Sequence, residues 1–352
     1  MRDQRESPSI PAWSCDQLDS DCPPKIDPPY FDSNLDAWVV SRHCDLLAVF
    51  HESDMAPGHA EREALSEPHD NRSLLKMRAE TADALPPARL RAWREALIAE
   101  AFSCANGLPA IEPVDLLAGY ARPLCLSLAA MVTSIPRVGA ENLEKMARTV
   151  SAATAAPEDT SLSDAAKSAA AALRGYFPAG PEALRDSGFV GLSQTLPAIL
   201  GSGWYALTQF PEQWALLHRH PELIDHAIEE LLRYAGPVRI LFRTARSDLY
   251  LNDTLIRKGD RVILRVFAAN HDSARFVHAR QLDCVRRDSA HFAFGAGQHS
   301  CVAANLIRMA AKVITQPLIE RFAAIRLVRT VDWQGGSAFR FPAGLWVCFN
   351  PK

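Results

Sequence analysis

His291-Phe292-Ala293-Phe294-Gly295-Ala296-Gly297-Gln298-His299-Ser300-Cys301 is the stretch that decides how the rest of the chain is read. A cysteine thiolate that ligates iron has to be shielded from water, held by backbone N–H donors and placed near the positive end of a helix. This loop meets all three conditions. Gly295 and Gly297 permit tight turns and close approach to a flat ligand, and Cys301 stands where a helix is expected to begin, near Val302. His299 is placed to donate to an acidic group on that ligand. The bland alternative is a buried cysteine in a glycine-rich loop.

The 352 residues are 48% hydrophobic with a formal net charge of −3, enough for one large core or two smaller ones. The balance of 38 Lys+Arg against 41 Asp+Glu predicts neither nucleic acid nor an anionic membrane surface as the main partner. Met1 to Pro8 is polar, and no later stretch is long and apolar enough to span a bilayer, so a cytoplasmic protein with no membrane partner is expected. The eight cysteines, at 15, 22, 44, 104, 125, 284, 301 and 348, show no CxxC pairs or regular intervals. That argues against a zinc ribbon or a disulfide framework and makes most of them small hydrophobes.

Residues 1–27, with Pro23-Pro24, read as an irregular leader, and 28–352 as a single domain. Ala37-Trp38-Val39-Val40 is β-prone, and Asp45 to Phe50 starts a small helix. From Pro86 to Arg174 the chain is Ala- and Leu-rich at helical spacing, with breaks at Gly107-Leu108-Pro109, Ile135-Pro136 and Ala156-Pro157. Ser187 to Leu207 predicts one long core helix, bent at Pro197 because that ring crowds the carbonyl of Ser193 and leaves it without a donor. Pro221 to Tyr234 is amphipathic, with apolar pairs at Leu223/Ile224, Ala227/Ile228 and Leu231/Leu232. The period then changes: Val238 to Phe242 and Leu249 to Leu264 suit short strands, Asp272 to Ser289 is irregular, a last helix spans Val302 to Phe322, and the tail returns to strands. The fold class is mainly α, with small sheets at one edge.

Phe294, Gly297, His299 and Cys301 resemble the haem-binding signature F-x-x-G-x-[H/R]-x-C of the cytochrome P450 family. One residue departs from it: Ala303 stands where the family prefers glycine. Glu230-Leu231-Leu232-Arg233 is similar to the family's E-x-x-R, an i, i+3 pair on one helix face, and Arg286 falls where the third member of that cluster belongs. Taken alone, the pair reads better as a solvated surface ion pair. The resemblance runs from about residue 28 onward and implies the cytochrome P450 fold, a helical bundle around haem b (iron protoporphyrin IX) with Cys301 as the iron ligand. Phe294, Gly295 and Gly297 belong to that cofactor site. Propionate donors implied by position are His299, Arg243, and a pair on the helix after Pro86-Pro87. Aligning on the prolines puts Arg89 and Trp93 there; aligning on Ala101-Phe102 puts Arg91 and Glu95 there. The first is preferred, since a carboxylate facing a propionate repels it and an indole N–H does not.

On the core helix the family carries [A/G]-G-x-[D/E]-T, with the acid and the threonine delivering protons; the matching run here is Gly191-Leu192-Ser193-Gln194-Thr195. Thr195 is retained, Gln194 replaces the acid, and Leu192 fills a groove otherwise kept open by glycine, so Ser193, Gln194 and Thr195 are the candidate catalytic residues. The chain is also short between Phe177 and Ser187, which implies a more open site or a reorganised lid. Two classes of function follow from the resemblance. One is a monooxygenase that oxidatively tailors a small or carrier-bound metabolite of natural-product biosynthesis, with peroxide use or redox-neutral chemistry as variants; the other is a catalytically silent recruitment module. A ferredoxin with its reductase is the implied electron donor, docking near Arg89, Arg91, Arg94, Arg308 and Lys312. The substrate pocket is expected from parts of 51 to 84, Ser193 to Ala198, Val238 to Leu241 and Phe339 to Leu345, with Arg239 either gripping a substrate anion or facing solvent.

Overall fold

A computed structural model of the chain describes residues 25–58, 71–177 and 186–351. The irregular leader expected over 1–27 falls almost wholly outside the described residues, as does most of the shortened stretch after Phe177. Helices occupy His43–His51, Asn71–Ala84, Pro87–Gly107, Arg122–Thr133, Arg137–Ala155, Ser163–Tyr176, Leu196–Gln209, Pro211–Arg219, Ile224–Ala235 and Ala304–Arg321. Their boundaries follow the punctuation of the sequence: Pro86 and Pro136 are helix N-caps, and the helix Arg137–Ala155 stops ahead of Pro157. The helix Ile224–Ala235 buries Ile224, Ala227, Ile228, Leu231 and Leu232, the apolar stripe read from the sequence.

The expected single helix from Ser187 to Leu207 is three segments. Asp186–Val190 is α-helical, Gly191–Thr195 is a π-helical turn, and Leu196–Gln209 resumes the α-helix. Pro197 lacks an N–H and its ring crowds the carbonyl four residues back. The chain answers upstream of the proline by widening, so that the N–H of Leu196 reaches the carbonyl of Gly191. The helix after it is buried nearly all round, as its apolar composition requires.

That helix lies in the main core, a cluster of buried side chains drawn from Leu97 to Phe349. The large polar-tipped residues within it are satisfied. Trp204 Nε1 donates to Thr315 Oγ1 (3.1 Å), Trp214 Nε1 to the Phe322 carbonyl (2.9 Å) and the Tyr120 hydroxyl to the Ile314 carbonyl (2.8 Å). A five-stranded sheet orders Tyr30–Asp32, Ala37–Val40, Arg261–Leu264, Leu241–Ala245 and Met55–Pro57 side by side. Its pairs are antiparallel except that Trp38 aligns with Val262 in parallel. The tail forms a three-stranded sheet from Val114–Asp115, Trp346–Pro351 and Phe322–Leu327, and a hairpin of Trp333–Gly335 with Arg340–Pro342. Phe339 meets Val238 in an isolated bridge, which brings the tail to the segment before the large sheet.

Candidate active site

Cys301 is exposed to a cavity of about 790 Å³. Its loop is held from several sides. The Cys301 N–H donates to the Phe294 carbonyl (2.9 Å), and the Phe292 N–H donates to Asn270 Oδ1 (2.8 Å). Gly295 and Gly297 have φ of +64° and +66°, a region that disfavours any side chain. Gly297 serves a purpose other than approach to a flat ligand: a Cβ there would lie 2.0 Å from the carbonyl oxygen of Phe50, so its bareness lets the loop close on the helix His43–His51. The last helix starts at Ala304 rather than Val302, and Cys301 precedes it, its carbonyl accepting from the Ala304 N–H (3.4 Å).

Behind the loop, Glu230 and Arg233 form a doubly bonded pair (2.7 and 2.8 Å), 2% and 1% exposed, which removes the solvated-pair reading. Arg233 also donates to the carbonyls of Asn270 (2.7 Å), Ala279 (2.8 Å) and Gln281 (3.2 Å). Arg286 joins Glu230 at 3.0 Å, and the Asp283 N–H donates to the same carboxylate at 2.9 Å. Every charge in this buried group is thereby hydrogen-bonded, which is what makes its burial tolerable. The cluster reaches the cysteine loop through Asn270, whose carbonyl binds Arg233 and whose side chain binds Phe292.

The cavity collects residues distant in sequence. Phe294, Gly295, His299, Cys301, Ala303 and Leu306 come from the loop and the helix after it. Gly191, Leu192 and Thr195 come from the π turn, and Val238, Leu241 and Phe339 from the bridged strand ends. Arg243, on the strand Leu241–Ala245 and 6% exposed, also lines it, with its guanidinium 5.6 Å from the Phe50 ring centre. Ser193 and Gln194 are not among the lining residues; Ser193 is buried and accepts from Gln194 Nε2 at 3.3 Å. Of the three candidate catalytic residues, the structure brings only Thr195 to the cavity.

Three placements expected from sequence are corrected. Arg89 and Trp93 do not line the cavity: Arg89 is exposed and donates to the Ala84 carbonyl (3.1 Å), and Trp93 packs against the main core. Arg78 stands at the loop instead, donating to the Ser300 carbonyl (2.7 Å) and to Ser300 Oγ (3.2 Å), while its neighbour Met77 lines the cavity. Arg239 neither faces solvent nor lines the cavity; it is buried, its guanidinium 4.0 Å from the Phe267 ring centre. In the basic patch expected to dock an electron donor, Arg308 is bound to Glu229 (2.6 Å) and Lys312 to Asp225 (2.6 Å), so two of its charges are already compensated.

The site fits a planar, largely apolar group with acidic substituents and its own metal. Among the described residues no three His, Cys, Asp or Glu side chains converge to hold a bare ion, so a metal at Cys301 needs a carrier that supplies other ligands. The described lining contains Arg174, Arg243 and His299 as cationic or donor groups and no Asp or Glu, which suits propionates.

A family model described as Cytochrome P450 matches residues 217–332, the segment holding the Glu230 cluster and the cysteine loop. The sequence is 29% identical to nocardicin C N-oxygenase of Nocardia uniformis subsp. tsuyamanensis, covering 88% of this chain and 89% of that one. It is 41% identical over 134 residues to cytochrome P450 CYP107DY1 of Priestia megaterium, a stretch that spans only 33% of that relative's length. Among solved structures, P450BioI in complex with hexadec-9Z-enoic acid ligated acyl carrier protein superposes with a TM-score of 0.80 at 20% identity, over 89% of this chain and 92% of that one. The Bacillus subtilis 168 bacillaene polyketide synthase cytochrome P450 PksS superposes with a TM-score of 0.75, also at 20% identity, over 89% and 90%. The family model matched over residues 217–332 and the relatives and superposing structures named here are all cytochrome P450s, a family of oxidoreductases, and the chain has their fold.

Proposed function

We propose that this protein is a haem-thiolate oxygenase that oxidatively tailors a small metabolite, presented free or on a carrier. The observation that carries the reading is one large cavity lined by both Cys301 and Thr195. Cys301 would hold the iron of haem b, and Arg243 and His299 would meet its propionates. When bound, that group supplies the redox-active iron that activates oxygen. The chain's own contribution is to anchor the thiolate loop, exclude water with Leu192, Val238, Leu241 and Phe339, and present the Thr195 hydroxyl.

Proton delivery is the unusual part of the proposal. The amide of Gln194 is engaged with Ser193 and has no proton to release at neutral pH, and no described lining residue is an acid. Protons are then relayed by the Thr195 hydroxyl and by water, or the protein uses peroxide, which arrives already reduced and protonated. Natural-product relatives such as nocardicin C N-oxygenase and the bacillaene P450, and the acyl-carrier complex of P450BioI, support a biosynthetic, carrier-presented substrate. A ferredoxin and its reductase are the proposed electron source, with exposed Arg89, Arg91 and Arg94 left to steer docking. Residues 28–352 are taken as one domain, supported by the main core that joins Leu97 to Phe349. A cytoplasmic location is part of the same proposal; among the described residues no single helix is long and apolar enough to cross a membrane.

The test is a titration of the purified haem protein with free and carrier-linked acyl compounds, followed by product analysis with a ferredoxin and reductase and, in parallel, with peroxide. A substrate-dependent shift of the haem spectrum and an oxidised product in one arm are expected. Haem binding with no turnover in either arm would favour the recruitment module.

A further inference from the structure

Two adjacent carboxylates on the helix Ile224–Ala235 point to different partners. Glu230 serves the buried arginine cluster; Glu229 serves the cysteine loop itself. His291 opens that loop and is buried, its side chain 1% exposed, with Nε2 3.2 Å from Glu229 Oε2. The Ala293 N–H donates to His291 Nδ1 at 3.2 Å, so Nδ1 carries a lone pair and the proton sits on Nε2, donating to Glu229. On the other side of the loop, Arg308 in the helix Ala304–Arg321 grips both oxygens of Glu229, at 2.6 and 3.1 Å. The Arg308 guanidinium also lies 4.7 Å from the ring centre of Phe294. Phe294 is the residue whose carbonyl accepts the Cys301 N–H at 2.9 Å.

We propose that Glu229 is a positioning residue for the iron ligand: with His291 and Arg308 it ties the entry of the cysteine loop to the helix that follows Cys301, and through Phe294 fixes the carbonyl that holds the Cys301 backbone. This rests on the haem-thiolate reading above. Burial would raise the Glu229 carboxyl, but the hydrogen bonds from His291 and Arg308 outweigh it and hold the group at about 2, so the carboxylate stays charged at working pH. The bridge also explains why Arg308 is poorly placed to serve a docking partner: its fork is committed to Glu229 and its face to Phe294. A purely structural ion pair would be expected to affect melting while leaving the ligand's state in the folded protein alone. A positioning residue changes that state.

The measurement is the half-life of the red-shifted Soret band of the reduced, carbon-monoxide-bound protein before it reverts to the unshifted form that marks loss of the thiolate. Glu229→Gln and Arg308→Gln should each shorten it about tenfold, because each leaves a charge-assisted, partly buried partner unsatisfied. The double variant should decay no faster than the faster single variant, since both break one bridge. Arg308→Lys, which keeps the charge without the fork, should recover part of the lost half-life. If Glu229→Gln takes up no haem, the two Arg308 variants decide the matter alone. Half-lives equal to wild type, or single effects that multiply in the double variant, overturn the proposal. A wild-type protein with no red-shifted band would instead remove the haem-thiolate reading, and this inference with it.

Discussion

Replacing Gly297 by alanine puts a methyl group where the structure has no room for one. The new Cβ falls 2.0 Å from the carbonyl oxygen of Phe50 and 2.9 Å from its carbon, at φ +66°. A carbon–oxygen contact is ordinarily about 3.3 Å or longer, so the loop and the end of the helix His43–His51 must part by roughly 1.3 Å. Gly295 is the internal comparison: its φ is +64°, but the nearest atom to its Cβ is Phe50 Cε1 at 3.8 Å, an ordinary contact. Both substitutions incur the left-handed penalty of about 1–2 kcal/mol. Only Gly297→Ala adds forced displacement, typically about 1–3 kcal/mol, for a total of about 2–5 kcal/mol. Denaturant unfolding should show Gly295→Ala mildly destabilised and Gly297→Ala less stable still. Equal stability in the two variants would refute the idea that residue 297 is bare to admit the Phe50 carbonyl.

Arg233→Leu leaves the Glu230 carboxylate buried with its main partner gone and orphans three backbone carbonyls, so it should cost at least about 3–5 kcal/mol and prevent recovery of folded holoprotein; recovery in normal yield would show that the cluster is dispensable. Arg78→Leu should weaken haem retention in a competition assay with apomyoglobin while Arg89→Leu should not, because only Arg78 touches the cysteine loop. Burial, aided by the Arg233 charge, holds His271 down at about 3, below the ordinary value of about 6.5. The unfolded chain therefore takes up the proton first, and the stability His271 contributes is complete above about pH 6.5 and is lost as pH falls toward 3, at about 1.4 kcal/mol per pH unit. The same sign applies to Glu229 below the ordinary carboxyl value. Melting temperature followed from pH 7 down to 4 should fall, and the fall should be shallower in His271→Gln; a slope unchanged by that substitution would contradict the assignment.

The cysteine loop and the Glu230–Arg233 pair were legible because each is contiguous: a few residues of fixed type at fixed spacing carry the chemistry. Arg78 was not. Its helix is polar with no clear apolar stripe, and the prolines at 86 and 87 are a stronger helix-start signal than anything before Asn71, so the local pattern points to Arg89 and Trp93 instead. Its contact with Ser300 spans 222 residues, a separation that local pattern does not reveal. Pro197 announced a disturbance in the core helix, yet a proline does not state whether the chain bends at it or widens ahead of it; here it widens, with Leu192, Leu196 and Leu200 packed into the main core. The burial of Arg239 was hidden for a related reason. Its neighbours Val238 and Ile240 suggest alternation with a solvent-facing arginine, and only the fold places Phe267 over its guanidinium.

The most direct measurement is the absorption spectrum of the purified, dithionite-reduced, carbon-monoxide-treated protein beside that of Cys301→Ala. Wild type should show the red-shifted Soret band of thiolate-ligated haem, and the variant should lose the band while Cys284→Ala, buried away from the cavity, keeps it. A wild-type spectrum without that band, or a Cys301→Ala spectrum identical to wild type, would contradict the assignment of Cys301 as the iron ligand.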